Sequence, residues 1–460
     1  MEEQECALLR MTQEKETENE IFIRYSEDNG EVMSLFDFNE KQVARNHHLP
    51  REMKRIDSSG DYIFQVDPAY SYLHNMELHQ ILPSVSVKKE HRKKLQIAWC
   101  FYPGLNVTDK AVMLSGEKKV LSSFVKHWGD IEYQYYKSNK EEHYTRYLGH
   151  IPILNEWSHT LPRFSLRVQQ PWPFTRGLPF RIFRLKDKIS FSYTMKKDIF
   201  SLLRVRIFNS SSQTWVPCKV TKSICKYLDF HDKGSLSPPI MIAEYSKITP
   251  EEEKEIAERS VRYIIEDVKH FGLPVLEKDK TTQTVEITLD DPIKAIFYIA
   301  ENYDATLLNN HSNYSTNAED PLEGERPIKS IYPYYKGSPL VPFSSEFTPE
   351  VFTDYCESSY PRSCFPGFPR DPGYGVIPIG YDMISPIHES FKSGTFKINF
   401  TLQDKDPLNA EDDPEEIMGL VSANVAETSV LRNKYCLHLF ALYLKVITID
   451  KEGELKIGKN

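Results

Sequence analysis

The chain of 460 residues has no long hydrophobic run, since no stretch approaches the about 18 consecutive apolar residues that a membrane-spanning helix needs. Its first 20 residues are acidic and contain no apolar core of signal-peptide length. The seven cysteines are scattered, and no pair has the C-x-x-C spacing of zinc ribbons or thioredoxin-like redox sites. Few and unpatterned cysteines are typical of a reducing compartment. We therefore expect a cytosolic protein without membrane spans.

Sequence motifs of catalysis are absent as well. No P-loop, G-x-S-x-G, H-E-x-x-H or helix-opening G-x-G-x-x-G occurs. The acidic pairs Asp290-Asp291 and Asp412-Asp413 lie near prolines in predicted turns, which is an ordinary place for aspartate. The 14 histidines are dispersed. We therefore predict a protein that is not an enzyme, with no catalytic residue, no cofactor-binding residue and no metal ligand.

The sequence also lacks an excess of basic residues. Lys and Arg number 57 against 66 Asp and Glu, which gives a net charge of −9. Because nucleic-acid-binding domains usually carry a basic face, we expect no direct contact with nucleic acid. A local basic cluster at residues 88–94 lies between two strand-like runs. It is either a solvated turn or a contact for phosphate or lipid headgroups.

Aromatic residues and prolines are plentiful. The 26 Tyr and 25 Phe favour half-buried pleated surfaces, and 29 Pro against 19 Gly indicate loops fixed by restricted φ. Asn29-Gly30 between two apolar runs predicts a hairpin. Short strands with turn residues between them then fill 61–248 and 273–460, which indicates an all-β protein of sandwiches or barrels. The stretch 301–375, rich in Asn, Ser, Pro and Tyr, is expected to form extended surface loops.

One helix is predicted in the middle of the chain. Thr249 can cap it, Pro250 suits its first position, and Glu252 completes a capping box. Apolar residues then recur at roughly helical spacing, at Ile256, Tyr263, Ile264 and Val268. Since 460 residues exceed a single core, the predicted organisation has four parts: an N-terminal arm and hairpin (1–60), a first β domain (61–248), a connecting helix (249–272) and a second β domain (273–460).

Several short segments of the chain form a recognisable series. They are Ile242-Ala243-Glu244-Tyr245, Thr249-Pro250-Glu251-Glu252-Glu253, Arg262 to Val268, and Asp291-Pro292-Ile293-Lys294, with Gln170-Pro171-Trp172-Pro173-Phe174, Leu178-Pro179, Ser393-Gly394-Thr395 and Ala441-Leu442-Tyr443. In kind and in order they resemble the major capsid proteins of nucleocytoplasmic large DNA viruses, the iridovirus, ascovirus, phycodnavirus and African swine fever virus type. The resemblance covers about residues 60–460 and is that of a divergent member, because Asp291 stands where the family has histidine.

The resemblance implies two tandem eight-stranded jelly-roll sandwiches joined by a helical connector. It also implies homotrimers that form pseudo-hexagonal capsomers and tile an icosahedral shell with neighbouring capsomers and minor capsid proteins. The expected location is the virion capsid, after assembly in the host cytoplasm. The loops 301–375 and 404–416 are expected at outer or inter-subunit contacts, and the arm 1–20 at the inner face or an inner viral membrane.

Two other functions remain open from the sequence. The same trimer can be a transient scaffold that coats a nascent viral membrane, as in poxviruses. More remotely, Trp172, Tyr334 and Tyr335 could form a stacking platform of a carbohydrate-binding β-sandwich. Whether the chain is glycosylated is also open, because five Asn-x-Ser/Thr sequons occur, at Asn106, Asn209, Asn310, Asn313 and Asn399.

Overall fold

A computed structural model describes most of the chain between residues 51 and 458. The described residues are 22–24, 32–34, 51–57, 62–123, 126, 127, 129, 131, 145–170, 172, 179–210, 213–220, 222–230, 234–272, 282–289, 293–321, 323–340, 344, 348–359, 374–379, 394–403 and 435–458. Among them, no helix combines the length and the apolar character that crossing a bilayer requires. The arm 1–20, the loop 404–416 and both aspartate pairs lie outside the described residues.

The described residues form mainly antiparallel strands with a few short helices. The strands are β1 (Phe22–Arg24), β2 (Val32–Ser34), β3 (Arg51–Asp57), β4 (Ile63–Gln65), β5 (Tyr72–Leu82), β6 (Val85–Val87), β7 (Leu95–Trp99), β8 (Thr108–Ser115), β9 (Lys118–Ser123), β10 (Thr160–Leu161), β11 (Phe164–Gln169), β12 (Phe180–Arg181), β13 (Ile189–Met195), β14 (Leu203–Asn209), β15 (Thr214–Cys218), β16 (Leu228–Phe230), β17 (Ile240–Ser246), β18 (Val261–Gly272), β19 (Thr282–Leu289), β20 (Ile293–Asn302), β21 (Ile328–Tyr335), β22 (Ser338–Pro339), β23 (Tyr374–Pro378), β24 (Gly394–Leu402), β25 (Tyr435–Ile449) and β26 (Leu455–Gly458). The α-helices are α1 (Pro103–Asn106), α2 (Pro152–Asn155), α3 (Pro250–Ala257), α4 (Tyr303–Leu307) and α5 (Pro349–Ser359).

The first half of the molecule, β3 to β17, is a stack of antiparallel sheets around one core. A five-stranded sheet has the order β11-β5-β17-β3 with β12 paired to β5, and a four-stranded sheet has the order β4-β13-β8-β9. Smaller sheets, β15-β14-β7 and β10-β6-β16, extend the stack. Alternation places Met76 and Leu78 of β5 in this core with Phe191 of β13. The predicted sandwich architecture is confirmed.

The second half, β18 to β26, repeats the arrangement with its own core. One sheet has the order β18-β25-β20-β23 with β26 paired to β25, and the other has the order β19-β24-β21-β22. Phe396 and Phe400 of β24 and Leu439 of β25 meet between the sheets. Phe352 of α5 packs into the same cluster. Each inner face therefore takes alternate residues of its strands, as expected of a jelly-roll sandwich.

The connecting helix predicted over 249–272 is wrong beyond its first two turns. The capping box of Thr249 and Glu252 is present, but α3 ends at Ala257. Val261–Gly272 instead forms β18, which pairs over its whole length with β25. Val261, Tyr263 and Ile265, each two positions from the next, are all buried, and the β-branched residues favour the extended chain. Pairing with the long strand β25, and not the apparent helical spacing, therefore decides the conformation of residues 261–272.

Two further boundaries can be compared with the sequence prediction. The two strands of the predicted hairpin are present, since Phe22 pairs with Ser34 and Arg24 with Val32, and the turn at Asn29-Gly30 lies outside the described residues. The strand β3, which the sequence prediction placed in the N-terminal arm, pairs with β17 in the five-stranded sheet. The first half therefore begins before residue 61, because β17 offers an open edge that β3 covers.

Candidate functional site at the junction of the two halves

The two halves share part of one core. Val261, Tyr263 and Ile265 of β18 belong to the same hydrophobic cluster as the core of the first half, together with Ile447 and Ile449 of β25. These strands continue into the core of the second half. The strands β18 and β25 therefore contribute to the cores of both halves. This prevents either half from rotating freely against the other.

Polar contacts reinforce this shared core. The hydroxyl of Tyr263 accepts a hydrogen bond of 3.0 Å from the amide of Arg181 in β12. Burial raises the pKa of Tyr263, so this hydroxyl stays neutral. Lys445 of β25 donates to the carbonyl of Val120 in β9 at 3.0 Å and forms an ion pair with Asp267 at 2.8 Å. The junction is thus fixed by directional bonds as well as by apolar packing.

A buried polar loop of the second half, residues 302–320, forms the other side of the junction. The side-chain amide of Asn302 donates to the carbonyls of Ser315 and Thr316 at 3.1 and 3.2 Å. Asn310 donates in the same way to the carbonyl of Ala318 at 3.1 Å. These amides satisfy backbone groups that no sheet reaches. The prediction of surface loops over 301–375 is therefore wrong for this junction loop, which is mostly buried.

The junction loop is bonded directly to the first half. Asn309 donates to the carbonyls of Phe200 and Leu203 at 2.6 and 2.7 Å. The ring of His311 lies 2.7 Å from the carbonyl of Ser201, to which its Nε2–H donates. Burial lowers the pKa of His311 to about 3, so the ring is neutral at physiological pH. All three bonds close the first half against the second.

Three of the five sequons lie within this junction. Asn106 is fully buried and donates to the hydroxyl of Ser312 at 2.7 Å. Asn310 and Asn313 are each 1% exposed. A glycan on any of these three asparagines is incompatible with the folded chain. Asn209 and Asn399 are partly exposed.

Beside the junction loop lies a cavity of about 700 Å³. The guanidinium of Arg204 lies over Trp157 at 4.8 Å, and that of Arg206 lies over Trp157 and Trp215 at 4.9 and 5.3 Å. Burial lowers the pKa of Arg204 to about 10 and raises that of Glu319. Glu319 and Asp320 of the junction loop line the same cavity as the two arginines.

A charged cluster crosses the junction next to Glu301 at the end of β20. Lys126 donates to its Oε1 at 2.7 Å, and Nε2 of His438 lies 3.1 Å from its Oε2. Nε2 of His127 is 3.9 Å from the same Oε2. Nδ1 of His438 is in turn 3.0 Å from Nε2 of His270. Residues of both halves therefore meet in one hydrogen-bonded group.

Electrostatics fix the protonation of this cluster. Burial alone raises the pKa of Glu301, but His127, His438 and Lys126 outweigh it and hold that pKa well below its usual range. Burial lowers the pKa of His127 well below its ordinary value and that of His270 to about 4. Burial also lowers the pKa of His438, but hydrogen bonds to Cys436 and Glu301 raise it to about 9. An ionised Glu301 therefore lies between two cations, Lys126 and His438.

No local sequence signal marks this cluster. His127 and Glu301 are separated by 174 positions, and Glu301 and His438 by 137, so only the fold brings them together. The density of Asn and Ser in residues 309–317 is the sequence feature of the junction loop, and by composition alone it predicts a surface loop. Burial of these polar residues is possible because each amide finds a backbone partner.

The predicted carbohydrate platform is not assembled. Trp172 is 1% exposed in the core of the first half, and its Nε1 donates to the hydroxyl of Tyr193 at 3.4 Å. Tyr334 and Tyr335 lie on β21 of the second half, where the ring of Tyr335 contacts Phe396. The basic residues 88–94 form a turn with a short 3-10 helix between β6 and β7, as the solvated-turn interpretation predicts.

Among known proteins, no family model matches the chain and no curated protein is similar to it in sequence. Several solved structures share its fold. A chain of the PBCV-1 virus capsid aligns with a TM-score of 0.58 at 10% identity, over 90% of this chain and 98% of that one. The Faustovirus major capsid protein aligns with a TM-score of 0.54 at 9% identity, over 86% and 90%. A chain of the Sputnik virophage aligns with a TM-score of 0.54 at 10% identity, over 89% and 88%. The chain has the double jelly-roll fold of these viral proteins.

Proposed function

We propose that the protein is a structural subunit of a viral capsid and that its trimers form pseudo-hexagonal capsomers of an icosahedral shell. The observation that carries this proposal is the fold. The alignment with the PBCV-1 capsid chain covers 90% of the present chain. The absence of catalytic motifs from the sequence is consistent with a structural role. At 10% sequence identity, the similarity to the PBCV-1 chain supports the fold. The trimeric assembly is proposed from that fold.

The junction gives this proposal a physical basis. A trimer with a six-sided outline needs two similar lobes per chain at a constant angle. The shared core of β18 and β25 and the bonds of the junction loop hold that angle. A ring closed by rotation also needs two different complementary surfaces on each chain. The two halves, with unlike edges and loops, supply such surfaces.

The further contacts belong to the same proposal. Neighbouring capsomers and minor capsid proteins are the expected partners, and the arm 1–20 is the expected contact with the inner face or an inner viral membrane. The protein then resides in the virion after assembly in the host cytoplasm. With a net charge of −9 it is not expected to hold nucleic acid directly.

Light scattering after size-exclusion chromatography tests the trimer. The expected mass is about 161 kDa, three times the 53.6 kDa of the chain, and negative-stain images should show a six-sided particle. A monomer at micromolar concentration would contradict the proposal. Quantitative mass spectrometry of purified mature virions then separates a shell subunit, present in many copies, from a transient scaffold, present only in immature particles.

A further inference from the structure

Three donor atoms from the two halves converge at the junction. They are Nε2 of His127, Oε2 of Glu301 and Nε2 of His438, and all lie within 4.8 Å of one another. We propose that these three side chains form a binding site for a divalent transition-metal ion, with zinc as the favoured ion. The site goes beyond the proposed capsid function and does not depend on it.

The strongest argument is that each donor is oriented through its other polar atom. Nδ1 of His127 is 3.3 Å from the hydroxyl of Tyr314, and Nδ1 of His438 is 3.0 Å from Nε2 of His270. Histidine ligands in metal sites are normally oriented in this way through the second ring nitrogen.

The carboxylate is held in the same manner. Oε1 of Glu301 accepts hydrogen bonds from Lys126 at 2.7 Å and Thr306 at 3.0 Å. Its Oε2 is left facing the two imidazoles. The arrangement therefore resembles a metal site with its supporting bonds already formed.

The distances fit an ion of zinc size after a small adjustment. Donors around a tetrahedral zinc, bound at about 2.0–2.1 Å, are roughly 3.3 Å apart. Oε2 of Glu301 is 3.1 Å from Nε2 of His438 and 3.9 Å from Nε2 of His127. The rings of His127 and His438 are stacked with centroids 4.4 Å apart, so the ring of His127 must turn to aim at the ion. Metal binding is thus coupled to a defined side-chain rotation.

The ligand set selects the class of metal. Two imidazoles and one carboxylate suit zinc and its transition-metal neighbours, whereas magnesium and calcium prefer oxygen ligands alone. Three protein ligands leave a fourth position for water. Without a metal, Lys126 and the protonated His438 both face the Glu301 carboxylate, and an ion that binds Nε2 of His438 displaces its proton to solvent. An ion would then link His127 of the first half to β20 and β25 of the second.

Metal content and thermal unfolding of the full-length protein test the site. The protein is freed of metal with a chelator, exposed to zinc chloride, desalted and analysed by mass spectrometry of the elements. We expect one zinc per chain, and a rise of about 2–5 °C in Tm when free zinc exceeds its Kd about hundredfold. Magnesium and calcium should give no shift. A wild-type protein that retains no zinc would overturn the proposal.

Variants identify the ligands. His127→Gln and Glu301→Gln should each weaken zinc binding at least tenfold in calorimetric titration, and His270→Gln about tenfold through His438. His79→Gln is the matched control, because His79 lies 3.3 Å from Glu77 and, within the part of the chain that the structure describes, the two belong to no group of three donors. Because Glu301→Gln also removes the charge that Lys126 and His438 face, His127→Gln with unchanged metal-free Tm is decisive. Equal zinc affinity of wild type and His127→Gln would contradict the assignment.

Discussion

At the scale of the residue, His311 makes the junction sensitive to acid. Burial, together with the charges of Lys126 and Lys196, lowers its pKa to about 3, against the opposing effects of the hydrogen bond to Ser201 and of Glu301. The unfolded chain has an ordinary histidine pKa of about 6.5, so it binds more protons than the folded chain between these values. Stability from this group is complete above about pH 6.5 and is lost as the pH falls toward 3. At pH 5 the loss is about 2 kcal/mol.

His311→Gln should flatten this pH dependence. The amide of Gln can donate to the carbonyl of Ser201 but cannot titrate. We expect the free energy of unfolding of the variant to fall between pH 7 and pH 5 by about 2 kcal/mol less than that of the wild type. Urea unfolding at both pH values measures the difference. Parallel pH profiles of the two proteins would show that His311 does not titrate as proposed.

Asn309 has two roles that can be separated by substitution. Its φ of 58° is in the left-handed region, and its side chain donates to Phe200 and Leu203. Asn309→Ala loses both the amide and the favourable backbone, for about 2–4 kcal/mol. Asn309→Gly keeps the backbone and should cost about 1 kcal/mol less. Denaturant unfolding of both variants tests this, and equal losses would show that the backbone conformation contributes nothing.

At the scale of the element, the two ends of the central segment show what a sequence can predict. The start of α3 was predictable because Thr249, Pro250 and Glu252 act within one turn. The strand β18 was not, because its partner β25 lies about 170 residues away and no local signal reports the pairing. The junction loop was missed for a related reason: its asparagines look solvent-exposed until their carbonyl partners are known.

The capping box offers a test at this scale. Thr249 accepts from the amide of Glu252 at 3.3 Å, and the Glu252 carboxylate accepts from the amide of Thr249 at 3.1 Å. Thr249→Ala should lower the free energy of unfolding by about 1 kcal/mol. Thr214→Ala, at an exposed position of β15, is the control and should change it by less than about 0.5 kcal/mol. Equal effects of the two substitutions in urea unfolding would contradict a specific role of the cap.

At the scale of the whole molecule, the sandwich architecture and the number of halves followed from the sequence, but their connection did not. Segments in which apolar and polar residues alternate, with turn residues between them, indicate sandwiches. The alternation is visible within each strand without knowledge of its partners. The shared core depends on Tyr263 and Ile449 reaching the cluster of the first half, and the metal cluster depends on strands far apart in sequence. Such contacts arise only once both halves are packed.

The edge of the five-stranded sheet yields the last prediction. β3 is its terminal strand, and Met53 on it is 77% exposed, the most exposed large apolar side chain among the described residues. A strand at the end of the described sheet with an exposed apolar residue is a natural surface for another chain. If the protein assembles as proposed, Met53→Asp should weaken the trimer by about 2 kcal/mol per contact, because it replaces apolar burial with a charge. Ser165→Asp, on β11 at the opposite edge, is the control. Sedimentation at several concentrations measures the effect, and a trimer unaffected by Met53→Asp would remove β3 from the interface.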